Sequence, residues 1–359
     1  IAVLNPGFPE VWRMVEAGQI AGFAYLWLVV FLVLLCCFVL WRIVPKGYFR
    51  KKKPETSRPA GEWAVSIPTH ENPVVVGNPF RGIFIAGAAG SGKSESVAVP
   101  LLLEFIRKGF AGIVYDFKFP ALDNDISSFL NAIGSDLRHF RLDFSNPYRT
   151  DFVNPIQPEY VPNTSYAREY AVSIVANLTK ESIKNPDFWS RSATDVLTAC
   201  IWYLREEHPE ICDIPHVLAM VGSNGTALLN TLQKNIITEQ MVRSVYDALQ
   251  RGADNQVSGV LGTLQGAVAQ INTPEMMWVF SRPGCPLDVN NPDHPAILTV
   301  ATNPTTSQTL SPLCSLVITV ATKLMNQPGK VPSFVMLDEA PTVFIPNLEV
   351  VPNTGRSNR

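Results

Sequence analysis

The most specific chemistry in this chain lies in eight consecutive residues, Gly87-Ala88-Ala89-Gly90-Ser91-Gly92-Lys93-Ser94. They fit G-x-x-x-x-G-K-[ST] in full, the pattern of loops that wrap nucleotide phosphates. The glycines let consecutive backbone N–H groups turn inward around phosphate oxygens. Lys93 is expected to reach the β- and γ-phosphates, and the Ser94 hydroxyl to ligate Mg2+. A helix starting here would aim its positive end at the anion. A second run, Ser333-Phe334-Val335-Met336-Leu337-Asp338-Glu339, is apolar and ends in two carboxylates. Asp338 is expected to hold Mg2+ through Ser94 or water, and Glu339 to orient and activate an attacking water. An apolar run ending in Asp-Glu is a weak signal alone, since helix starts look similar. The phosphate loop gives it its meaning.

These residues need a scaffold that brings distant segments together. Gly82–Ala86 is a short apolar run that reads as a strand entering the loop. Glu95–Lys108 places Val97, Leu101, Leu102, Phe105 and Ile106 at helical spacing. Ala111–Phe117 reads as a second buried strand. Further strands are expected at Ala296–Ala301 and Ser333–Leu337, flanking a helix at Leu313–Asn326. Strand, loop, helix, strand is the order of a parallel α/β sheet. The middle of the chain differs. Tyr166–Thr179, Phe188–Glu207, Ile214–Met220 and Glu239–Ala269 all read as helical. The expected organisation is a P-loop nucleotide-binding core in two parts, 79–159 and 281–359, interrupted by an all-α insertion at 160–280. Pro54–Asn78 reads as a linker with an edge strand at Val74–Val76.

The N-terminal part has another character. No charge occurs between Glu16 and Arg42, and the run is most apolar at Leu26–Leu40. At ~1.5 Å per helical residue such a stretch crosses a hydrocarbon layer of ~30 Å. We therefore expect an N-terminal transmembrane helix at 20–43, an extracytoplasmic or interfacial segment at 1–19 and a basic juxtamembrane linker at 44–78. Arg42, Lys46, Arg50, Lys51, Lys52 and Lys53 follow the helix, whereas only Arg13 precedes it. The positive-inside rule then puts the ATPase part in the cytoplasm, on a bacterial inner (cytoplasmic) membrane. This orientation leads us to expect a further helix before residue 1.

Composition sets limits on the rest. A formal net charge of −2 excludes a generally basic nucleic-acid-binding body, so any such contact must be a local patch such as a pore lining. The six cysteines and five histidines form no metal-ligand spacing. They read as free thiols of a reducing compartment and ordinary surface or core imidazoles.

Several further residues match a known family. Ile113-Val114-Tyr115-Asp116-Phe117-Lys118 resembles the strand ending in Asp-x-Lys of the type IV coupling proteins, the TraG/TraD group of conjugation ATPases. Asn154-Pro155 is similar to that family's Asn-Pro element, and Thr354-Gly355-Arg356-Ser357-Asn358 to its Gly-Arg-Ser stretch. The resemblance runs from the apolar helix to Arg359 and is strongest to the Bacteroidetes mobilisation branch. It implies a RecA-like core, ATP and Mg2+ as cofactors, and a homohexamer with nucleotide at subunit interfaces. It also implies a relaxase–DNA complex or effector protein, single-stranded DNA and type IV secretion channel components as partners. Carried over, Asp116 and Lys118 lie beside the nucleotide, and Arg356 is a candidate arginine finger. Two departures stand out. Asp338-Glu339-Ala340-Pro341 replaces the Asp-Glu-Phe common in the family, and the family has a further core strand beyond the point where this sequence stops. Two other readings share the loop: an FtsK- or HerA-like DNA translocase, and a nucleotide-regulated membrane scaffold that does not hydrolyse. Glu339 argues against the scaffold, because binding alone needs no water activator.

Overall fold

In the computed structural model, which describes residues 18, 27–35, 61–88, 90–179, 183 and 187–354, the centre is a parallel four-stranded sheet. Its strands are β3 (Ala111–Asp116), β4 (Arg138–Leu142), β5 (Ala296–Ala301) and β6 (Ser333–Leu337), in the order β4-β5-β3-β6. Every residue of β3 and β5 is buried. That explains their continuous apolar runs, since a strand covered on both faces has no polar side to alternate. A separate antiparallel pair, β1 (Val65–Ile67) and β2 (Val74–Val76), precedes the sheet. β2 fulfils the expected edge strand.

Successive strand residues point to opposite faces and enter two different cores. Val114, Ile297 and Phe334 meet α1 (Val99–Arg107) and α2 (Ala121–Ile133) on one side. Ile113, Tyr115, Leu298 and Val300 meet the helices of the other side. Those are α3 (Thr164–Leu178), α4 (Phe188–Glu207), α5 (Ile214–Val221), α6 (Gly225–Leu232), α7 (Ile236–Gln250), α8 (Asp254–Ala269), α9 (Pro274–Phe280) and α10 (Ser307–Met325). Between β4 and β5 every regular element among the described residues is a helix. These helices share one hydrophobic cluster with the sheet, so the two parts are continuous through their cores. The expected long helix at Glu239–Ala269 is two helices, because Gly252 takes a left-handed φ of 70° between α7 and α8.

Two elements depart from the sequence reading. Gly82–Ala86 forms no strand: among the described residues no neighbour supplies ladder hydrogen bonds, and Phe84 is 92% exposed. A strand exists only in a pair, and apolarity alone does not make one. α10 begins six residues before the expected start and runs through Pro312. Proline there leaves the carbonyl of Gln308 without its i+4 donor, and the Ser311 hydroxyl donates to it instead at 3.2 Å.

Gly61–Arg359 forms one compact unit and Ile1–Ala60 another. In the second, residues 27–35 are helical and every side chain is exposed. Most of the expected 20–43 span lies outside the described residues. Among the described residues, α10 has the length and composition of a membrane span, but 78% of it is buried, as a core helix requires.

Candidate nucleotide site

The phosphate loop leads directly into a helix. Ser94–Ala98 forms one wide π turn that continues as α1. The widening shows in the Val99 N–H, which bonds to Ser94 O five residues back, and Pro100 just beyond it offers no N–H to the carbonyl of Ser96. Gly90 and Gly92 take left-handed φ values of 72° and 79°. Gly87 serves differently. A Cβ on it would lie 2.8 Å from Ser91 Oγ and 3.2 Å from the Lys93 stem. A methyl there would make the Ser91 hydroxyl and the Lys93 stem shift, so the tight closure of the loop favours a residue with no side chain. Lys93 Nζ donates to the carbonyls of Gly87 (2.8 Å) and Ala88 (3.0 Å), which holds the ammonium folded over the loop's mouth. Ala89 lies outside the described residues.

The C-terminal ends of β3 and β6 point to the same place. The Asp338 N–H donates to the carbonyl of Tyr115 at 3.1 Å, which fixes the turn after β6 to the end of β3. Burial pushes the Asp338 carboxyl above its usual range; Lys118 opposes this, the charge of Glu339 adds to it, and Lys93 opposes it. Glu339 is exposed and takes a left-handed backbone, φ 57° and ψ 53°. Lys93, Ser94, Asp338 and Glu339 together line a cavity of about 870 Å3. Its apolar walls include Phe80, Ile85, Phe105 and Leu337. This set suits a nucleoside triphosphate with a divalent cation. An ammonium sits at a loop with room for phosphate, a hydroxyl opens the helix, and two adjacent carboxylates would be relieved by a bound cation.

Asp116 lies near enough to Asp338 for that carboxylate's charge to act on it. It is fully buried at the end of β3, and one carboxylate oxygen accepts the Asp123 N–H at 3.1 Å, anchoring the first turn of α2. The other oxygen has no partner among the described residues. Burial raises its pKa to about 6, despite the backbone N–H groups of Asp123 and Leu122 that favour the charged form. Asp123 itself is held by His139 and Arg141, each at 3.1 Å. Sequence reasoning missed α2 and this buttress, although Leu122, Ile126 and Leu130 recur at helical spacing. Lys118 is exposed and close enough to act on Asp338. Asn154 ties the chain after β4 to the segment before α5: its side-chain amide donates to Cys212 O at 2.8 Å. The four described cysteines are free and buried, and burial pushes the Cys200 and Cys212 thiols up to about 12. Arg356 lies outside the described residues.

This arrangement can be compared with known proteins. The type IV secretory system conjugative DNA transfer family matches residues 46–344, most of the chain's 359 residues. The chain belongs to this family. Its fold is similar to that of the bacterial conjugative coupling protein TrwBdeltaN70 in its unbound monoclinic form, with a TM-score of 0.59 and 17% identity over 79% of this chain and 61% of that one. TrwB in complex with ADP and Mg2+ is similar at a TM-score of 0.57, with 17% identity over 78% of this chain and 61% of that one. TrwB with the non-hydrolysable ATP analogue ADPNP gives 0.57 and 16% over 78% and 62%. At such identities the likeness establishes the fold, a RecA-like α/β core with a parallel sheet. The chain spans about three fifths of the length of these structures. No curated protein sequence matches it.

Proposed function

We propose that this member of the conjugative DNA transfer family binds Mg–ATP in the cavity between the phosphate loop and the end of β6, and hydrolyses it to move DNA toward a type IV secretion channel. The observation that carries this reading is the convergence of Lys93, Ser94, Asp338 and Glu339 on one cavity from segments far apart in sequence. A nucleotide-binding loop alone would account for binding. The pair Asp338-Glu339 adds what hydrolysis needs, a metal-holding carboxylate and a neighbouring base. TrwB has been solved with ADP and Mg2+, which agrees with this choice of ligand.

Within this reading each residue has a task. The N–H groups of Gly87, Ala88, Ala89, Gly90, Ser91 and Gly92 surround phosphate oxygens. Lys93 releases the carbonyls of Gly87 and Ala88 and turns to the β- and γ-phosphates. Ser94 and Asp338 hold Mg2+, which supplies charge neutralisation at the phosphates. Glu339 takes the proton of the attacking water. Asp116 and Lys118 lie beside the nucleotide and couple hydrolysis to movement: Asp116 ties the end of β3 to α2, and Lys118 balances the charge of Asp338. Arg356 is the arginine that a neighbouring subunit would present in a homohexamer. Residues 160–280 form the all-α insertion, and 20–43 anchors the chain in the inner membrane. A relaxase–DNA complex, or an effector protein, is the substrate handed to the channel components, with single-stranded DNA as the strand moved.

ATP hydrolysis by the full chain, with and without single-stranded DNA, tests this reading alongside its mass in solution. DNA-stimulated turnover by a hexamer-sized species supports it. Turnover indifferent to DNA in a monomer opposes the motor function.

A further inference from the structure

The backbone of Glu339 is in the left-handed region, which a residue with a long side chain adopts only where its surroundings impose it. Three hydrogen bonds impose it here. The Thr342 N–H donates to the Glu339 carbonyl at 3.0 Å, closing a single 3-10 turn over Ala340–Thr342. The Thr342 hydroxyl donates to the same carbonyl at 2.8 Å. Its only hydrogen is thereby used, so the 3.0 Å contact with the Tyr115 hydroxyl has Tyr115 as donor. Tyr115 is fully buried in β3, and its own carbonyl receives the Asp338 N–H. One side chain and one carbonyl of Tyr115 thus brace the backbone at Asp338 and the turn that follows Glu339. Pro341 in the middle of the turn restricts its φ and leaves the turn few alternatives.

We infer that Thr342, supported by Tyr115, is the positioning residue that aims Glu339 at the reacting water. This rests on Glu339 being the base, as proposed above. A carboxylate flanked by ordinary backbone could point in several directions. A doubly bonded carbonyl fixes the peptide plane after Glu339, and the Asp338 N–H bond to Tyr115 holds the chain before it, so the backbone rotation that sets where the side chain leaves is restricted. Thr342 touches neither nucleotide nor water in this role. It acts through the backbone of Glu339.

The test uses the full chain and compares Thr342→Val, Thr342→Ser, Tyr115→Phe and Glu339→Gln in steady-state ATP hydrolysis. Valine keeps the shape and the N–H bond but removes the hydroxyl. The expected result is a fall in kcat of roughly tenfold or more, with KM for ATP changed less than about threefold, because misplacing a catalytic group affects the chemical step. Serine should restore kcat to within about threefold. Thr342→Val combined with Glu339→Gln should be no slower than Glu339→Gln alone, since both act through one carboxylate. Should the valine variant lose its fold, Tyr115→Phe carries the same comparison with the ring volume conserved. Unchanged kcat in Thr342→Val, or a serine variant as slow as the valine one, overturns the inference. Full turnover in Glu339→Gln is a different outcome, and it removes the base itself.

Discussion

Asn177 and Phe344 exchange two hydrogen bonds: the Asn177 amide donates to the Phe344 carbonyl at 2.8 Å, and the Phe344 N–H donates to Asn177 Oδ1 at 2.9 Å. Asn177 lies near the end of α3, and Phe344 follows the turn that carries Glu339. The Ser315 hydroxyl of α10 donates to the same carbonyl. The loop behind the candidate base is therefore sewn to the helical side of the sheet.

Replacing Asn177 by leucine strands the half-buried Phe344 N–H while the Ser315 bond survives. Destabilisation of about 1–3 kcal/mol is expected, since a half-buried donor loses its partner and the side chain loses its own bonds. Urea unfolding of the two proteins measures this. A difference below about 0.5 kcal/mol would show that the clamp does not hold the loop.

Gly87→Ala is expected to weaken ATP binding at least tenfold with little change in stability. The added methyl meets Ser91 Oγ and the Lys93 stem, so it strikes the loop and its lysine and leaves the core alone. Calorimetric titration with ATP and Mg2+ checks the affinity, and thermal unfolding checks the fold. Wild-type affinity in this variant would contradict the loop geometry.

Asp116 predicts a pH dependence of stability in the nucleotide-free protein. Its pKa is raised from 3.8 to about 6 in the folded state. The folded protein then binds more protons than the unfolded chain between these values, so stability falls as pH rises through that window. The penalty is fully present above pH ~6 and amounts to about 3 kcal/mol as an upper figure. Asp116→Asn keeps an acceptor for the Asp123 N–H and cannot ionise. It should be more stable than the parent at pH 7.5, with the difference fading toward pH 4. Parallel stability curves across this range would show that Asp116 is not the group responsible.

The site's parts differ in how far they could be read from sequence. The phosphate loop was legible because its chemistry demands particular residues at fixed spacing. β5 and β6 were legible at Ala296–Ala301 and Ser333–Leu337 because buried parallel strands are continuous apolar runs. β4, with the sequence Arg-His-Phe-Arg-Leu, was not, since an edge strand with half-buried charges carries no such run. The absence of a strand at Gly82–Ala86 was equally hidden, because pairing depends on residues elsewhere. Least legible was the bond from Thr342 to Glu339. It depends on a left-handed glutamate, which no local preference announces.

The central claim is that Glu339 activates water for ATP hydrolysis at a site built from Lys93, Ser94 and Asp338. Steady-state ATP turnover by the full chain and by Glu339→Gln, with ATP affinity measured on both, tests it most directly. The account predicts turnover in the parent, a loss of roughly a hundredfold or more in the variant, and affinities within about threefold of each other. Equal turnover in the two proteins would contradict it.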